Sequence, residues 1–195
     1  MPHINYENKY IFVHIPKCAG NTVKNVLNIP GHDHSGIEAY YKSDFFKFAF
    51  VRNPWDRFIS AYLYLKSGGW RNMDSSQDWD RDYCQVVNSY NNLKEFAREP
   101  HKWLGMIHFR PQFGFVVKDI KDSIDCLDFI GRVENLDNDL RYICNQVNIP
   151  YNTLPHINKT KNRQRDYTKY YDDELRDIIA KIYSKDIEYF KYNFG

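Results

Sequence analysis

At 195 residues, with 43% hydrophobic and 17% aromatic side chains, the chain has the length and apolar content for one folded domain (1–195), which argues against disorder and leaves two independent domains cramped. The formal net charge is only +2 and no block of one sign dominates, which argues against a general nucleic-acid or membrane-surface role. No stretch reaches the roughly 18–20 apolar residues of a membrane span, no basic-then-apolar leader opens the chain, and Cys18, Cys84, Cys126 and Cys144 include no CxxC spacing, so a cytoplasmic protein with buried free thiols is expected.

In chain order, Lys9 to Ile15 (KYIFVHI) reads as a buried strand, β-branched and aromatic, ending at Pro16. Pro16 to Thr22 is a turn, and a helix opens over Thr22 to Leu27. A second strand spans Phe46 to Arg52. Asn53 suits the cap of the next helix and Pro54 its first position. In that helix, Pro54 to Lys66, the residues Trp55, Phe58, Ile59, Tyr62 and Leu63 fall on one face, and Asp56, Arg57, Ser60 and Tyr64 on another. Residues 67–90 read as a long, partly irregular excursion, and Asn92 to Leu104 as a helix. A third strand near Leu127 to Val133 precedes a helix from about Leu136 to Val147. The last helix starts near Asp172 with a stripe of Leu175, Ile178, Ile179, Ile182 and Tyr183. Asp186 would fall on that stripe, so it is either paired inside or lies in a new helix capped by Ser184. Strands alternating with helices predict an α/β fold: a P-loop-like parallel sheet flanked by helices on both faces.

Two segments carry chemistry. The first is His14-Ile15-Pro16-Lys17-Cys18-Ala19-Gly20-Asn21-Thr22, a strand that turns tightly into a helix. Such a turn gathers backbone N–H groups around an anion, with Lys17 adding a mobile charge and Thr22 a hydroxyl. It is not a Walker A loop, because the lysine comes first and no Gly-Lys-Ser/Thr closes it. The second runs from Phe50 to Tyr62. Arg52 stands at the end of a strand, where ligands gather in open α/β sheets, and Ser60 is two turns into the next helix. The two are placed to grip one anion, the guanidinium offering paired donors.

Together the segments resemble the PAPS-dependent sulfotransferases, most closely the carbohydrate branch that includes the heparan 2-O- and chondroitin sulfotransferases. The resemblance also touches HFRPQ (His108 to Gln112), DFIGRVENL (Asp128 to Leu136), Asn158-Lys159-Thr160 and the closing YYDDEL…YSKDIEYFKY run. It implies that Lys17, Cys18, Ala19, Gly20, Asn21 and Thr22 bind the 5′-phosphosulfate of 3′-phosphoadenylyl sulfate (PAPS). Arg52 and Ser60, with the family's eight-residue separation, would bind the 3′-phosphate. It also implies a flap supplying cations such as Lys159 and Arg163. Asn21 departs from the Thr or Ser usual in the family, yet an Asn still donates to an oxygen.

A hydroxyl attacking sulfur must lose its proton, and histidine suits that task near neutrality. His32 and His34, in GHDHSG, lie in the interval where family members carry a catalytic histidine. Both stay open, with His34 preferred; His108 is a weaker candidate that shapes an acceptor cleft. His32-Asp33-His34 has a zinc-like HxH spacing but no evident third ligand, so no metal is expected. The expected acceptor is a hydroxyl, on a carbohydrate. The rivals are a small P-loop-like kinase and a non-catalytic binder of nucleotide or glycan.

Overall fold

Four strands form one sheet in the spatial order β1 (His3–Asn5), β2 (Tyr10–Val13), β3 (Phe46–Val51) and β4 (Phe129–Arg132). The computed structural model describes residues 2–31, 33–69, 80–117, 126–153, 164 and 166–195. β2, β3 and β4 pair in parallel, as alternating strands and helices require, with Phe12 opposite Phe48 and Phe50 opposite Gly131. The sheet is mixed rather than wholly parallel, because β1 adds antiparallel to β2. Three residues are too few to show a period of two, which is why the sequence does not announce this strand. All of β2 and most of β3 are buried, as expected for strands covered on both faces.

Among the described residues the helices are α1 (Gly20–Val26), α2 (Pro54–Lys66), α3 (Arg81–Asn88), α4 (Leu93–Ala97), α5 (Pro100–Trp103), α6 (Phe113–Val116), α7 (Leu136–Gln146), α8 (Asp173–Ile182) and α9 (Ser184–Phe190). α2 has its expected bounds. Asn53 caps it by accepting from Trp55 N, and Pro54 occupies its first turn. One apolar cluster joins β2 and β3 to Val23 of α1, Phe115 of α6 and Leu140 and Ile143 of α7. A second joins Phe58 and Ile59 of α2 to Phe96, Trp103, Phe109 and Ile179, including Phe58–Trp103 and Phe96–Trp103 ring pairs.

The partly irregular excursion over residues 67–90 has its regular part in α3. Two expectations are corrected. The single helix expected over Asn92 to Leu104 is two, because Pro100 cannot continue α4 and instead opens α5. The last helix breaks at Tyr183, and α9 begins at Ser184. Asp186 lies in a new helix and is fully buried and paired, but Ser184 is the first residue of that helix rather than its cap, which falls on Tyr183 without a side-chain bond.

Candidate active site

The parallel strands β2 and β3 end side by side, so the segments that follow them meet at one sheet edge. After β2 the chain passes through His14 to Ala19 and enters α1. Lys17 and Ala19 both have left-handed backbone, with φ of 68° and 58°. Such conformations are unfavourable for residues bearing a Cβ, and each typically costs about 1–3 kcal/mol. They fold the loop tightly. Cys18 N donates to Ile15 O, and Thr22 N and Val23 N both donate to Ala19 O. Gly20 is needed for space: a Cβ there would overlap the His14 imidazole.

Arg52 follows β3 and reaches this loop. Its Nη1 donates to Lys17 O at 3.2 Å and its Nε to Asp56 Oδ2 at 2.7 Å. Arg57, one turn into α2, is almost fully buried. It donates through Nε to Pro16 O and through Nη1 to Arg110 O, both at 2.9 Å. Its Nη2 is buried with no hydrogen-bond partner among the described residues. The Lys17 ammonium lies over the Tyr64 ring, 3.5 Å from its centroid. The polar face of α2 is thus turned onto the loop rather than to solvent. Ser60 is buried and stands one turn from both Asp56 and Tyr64 on that face.

Gln112 clamps the two segments together. Its Oε1 accepts from Arg52 N at 2.9 Å and from Cys18 Sγ at 3.1 Å, while its Nε2 donates to Arg52 O at 2.9 Å. Asp186 holds the clamp in turn, accepting from Gln112 N and Phe113 N, each at 2.8 Å. Burial pushes the Asp186 carboxyl upward, opposed by those two N–H groups and by the Arg57 charge. Burial likewise pushes the Cys18 thiol up to about 12, against the pull of Arg57 and Arg52.

The histidine segment is pinned at three points. Lys24 Nζ donates to Gly31 O at 2.6 Å, His34 Nδ1 lies 3.0 Å from His14 O, and Ile37 N donates to Phe115 O. A carbonyl oxygen only accepts, so Nδ1 of His34 carries the hydrogen and the neutral ring has its lone pair on Nε2. The His14 and His34 rings pack with centroids 4.2 Å apart.

The structure therefore brings Lys17, Cys18, Arg52 and the Ser60 face together, with Ala19, Gly20, Asn21 and Thr22 continuing the loop. His34 hangs from the residue that opens the loop. His32, Lys159 and Arg163 lie outside the described residues. His108 is buried against Asp80. Among the described residues, no three His, Cys, Asp or Glu side chains are grouped to hold a metal, and no helix is long and apolar enough to cross a membrane.

The sulfotransferase family model matches residues 3–193. The chain belongs to the sulfotransferase family. No curated protein and no solved structure matches it. In this sulfotransferase the supports of the site are what sequence reading passed over. Arg57 and Tyr64 shared the polar face of α2 with Ser60 but were given no role. Gln112 stood inside the HFRPQ segment without a role. Asp186 was conspicuous as a charge on an apolar stripe, but its partners lie more than seventy residues away.

Proposed function

We propose that this sulfotransferase moves a sulfuryl group from PAPS to a hydroxyl, on a carbohydrate acceptor, with His34 as general base. The observation that carries the reading is the convergence of Lys17, Arg52 and the Ser60 face of α2 on one left-handed loop at the carboxyl edge of a parallel sheet. That arrangement suits a ligand with two separated anionic ends. Buried Arg57, bonded to Pro16 O, adds positive charge behind the loop.

PAPS, when bound, supplies a sulfuryl group on a phosphate leaving group. Lys17 and the amides of residues 19–21 hold the 5′ end, and Lys17 stabilises the charge that develops there. Arg52 and Ser60 take the 3′-phosphate; Arg52 presents its remaining N–H edge while Asp56 fixes its plane. His34 Nε2 removes the proton of the acceptor hydroxyl, its tautomer set by the bond from Nδ1 to His14 O. Lys159 and Arg163 contribute cations to the nucleotide. Cys18 packs the loop from inside as a protonated thiol and takes no part in the chemistry.

The test is a comparison of nucleotides by thermal denaturation. Adenosine 3′,5′-bisphosphate should raise the melting temperature by mass action, and AMP much less, because AMP leaves Arg52 and Ser60 without their phosphate. Equal stabilisation by both would defeat the assignment of Arg52 and Ser60. A screen with radiolabelled PAPS against sugars, lipids and small alcohols then identifies the acceptor.

A further inference from the structure

Behind Lys17 stands a buried polar chain that the reading above does not use. The Tyr64 ring that carries the ammonium is itself held from beyond. Its hydroxyl donates to Asp80 Oδ2 at 2.6 Å, and His108 Nε2 meets Oδ1 of the same carboxylate at 2.8 Å. An ionised carboxylate only accepts, so both neighbours donate to it and His108 carries its proton on Nε2. The Asp80 and His108 side chains are 7% and 10% exposed. The His108 ring also meets the Tyr64 ring edge to face, with centroids 5.2 Å apart. Nδ1 of His108 is buried and makes no hydrogen bond with the described residues, so the bond to Asp80 is what orients this ring.

We propose that Tyr64, Asp80 and His108 form a positioning relay for Lys17. His108 fixes the Asp80 carboxylate. Asp80 anchors the Tyr64 hydroxyl, and the ring face then sets where the ammonium waits. Donation of the phenol hydrogen to a carboxylate shifts electron density onto the ring, which deepens the negative face that attracts a cation. Contact with the ring face keeps the ammonium next to the path of the ligand. None of the three need touch substrate. The inference rests on the assignment of Lys17 to the donor and adds the residues that aim it.

The test is spectroscopic as well as kinetic. Reductive ¹³C-methylation keeps the lysine charge, and the resonance lost in Lys17→Arg identifies dimethyl-Lys17. In the unliganded wild type that resonance should be shifted upfield by the Tyr64 ring current. It should return to the ordinary position in Tyr64→Leu and move partway in Asp80→Asn and Tyr64→Phe, which keeps the ring but not its anchor. With an accepted substrate, turnover should fall about tenfold in Tyr64→Leu, with affinity for adenosine 3′,5′-bisphosphate changed by less than about twofold and most turnover recovered in Tyr64→Phe. Because Tyr64 is only half-buried, circular dichroism of Tyr64→Phe separates a relay effect from misfolding. A Lys17 resonance without a ring-current shift, or one that Asp80→Asn leaves in place, overturns the relay. A shifted resonance that the bisphosphate does not move overturns instead the assignment of Lys17 to the nucleotide.

Discussion

Replacing Gln112 by Leu should separate the clamp from the rest of the core. The side chain is fully buried, and Leu is close enough in size to leave little cavity. What disappears is the partner of both Arg52 N and Arg52 O, each bonded at 2.9 Å. A buried polar group left unsatisfied costs about 1–3 kcal/mol; Arg52 is half-buried, so the lower half of that range applies and the two groups together cost about 2–4 kcal/mol. The Cys18 thiol, a weak donor, adds little. Against a total stability of about 5–15 kcal/mol the loss is substantial. In urea, with a mid-range slope of about 2 kcal/mol per molar, the unfolding midpoint should fall by about 1–2 M. Tryptophan fluorescence follows it, and calorimetric titration with adenosine 3′,5′-bisphosphate should show weaker binding, because Arg52 hangs from this clamp. Gln112→Glu keeps the shape and the acceptor but sets a second carboxylate oxygen opposite Arg52 O and beside Asp186, so it should be no milder. A Gln112→Leu midpoint within about 0.3 M of wild type, with unchanged binding, would refute the reasoning.

Gly20→Ala should lower the melting temperature and weaken the bisphosphate, since the new methyl meets a buried His14 ring and overpacking typically costs about 1–3 kcal/mol; an unchanged melt would show that the ring yields freely. Cys18 should resist iodoacetamide at pH 8 in the folded protein and react only after unfolding, as mass spectrometry can follow, because burial pushes its thiol up to about 12. The folded value lies above the unfolded one, so this thiol's contribution to stability is complete below about pH 8.5 and is lost as the pH rises from there toward 12, and the urea midpoint should decline across that window. His34→Ala should abolish transfer while nucleotide binding stays intact, and His32→Ala should be mild; near-normal turnover in both would place the base elsewhere.

The parts of the fold that follow from local pattern were legible. β2 is a continuous apolar run, β3 is one broken only by Lys47, and α2 carries its own start signal in Asn53 and Pro54. β1 was not, because an edge strand of three residues gains its shape from pairing with β2 rather than from its own periodicity. α3 was hidden in a polar stretch in which Val87 is its one buried residue. The site divides in the same way. Lys17 and Arg52 stand at strand ends, where topology alone predicts a ligand, and the structure brings them into contact. Arg57, Gln112, Tyr64 and Asp186 act over separations of 16 to 74 residues, and no local spacing encodes such contacts.

The same contacts explain how the loop tolerates its strain. Lys17 and Ala19 occupy left-handed backbone without being glycine, whereas Gly20, beside them, has no positive φ and is glycine for a steric reason. A fold that needed only a tight turn would have placed glycine at the strained positions, at no such cost. A lysine at position 17 keeps a long cationic side chain at a strained turn, and the surroundings hold the conformation. Arg57 bonds the carbonyl before it, Arg52 bonds its own carbonyl, and Gln112 takes the thiol after it. The strained backbone raises the energy of the loop, and these side chains hold it in place. Binding energy at this site therefore depends on residues that never meet the ligand, and substitutions at Arg57 and Gln112 should weaken an anion's hold almost as surely as loss of Lys17 or Arg52.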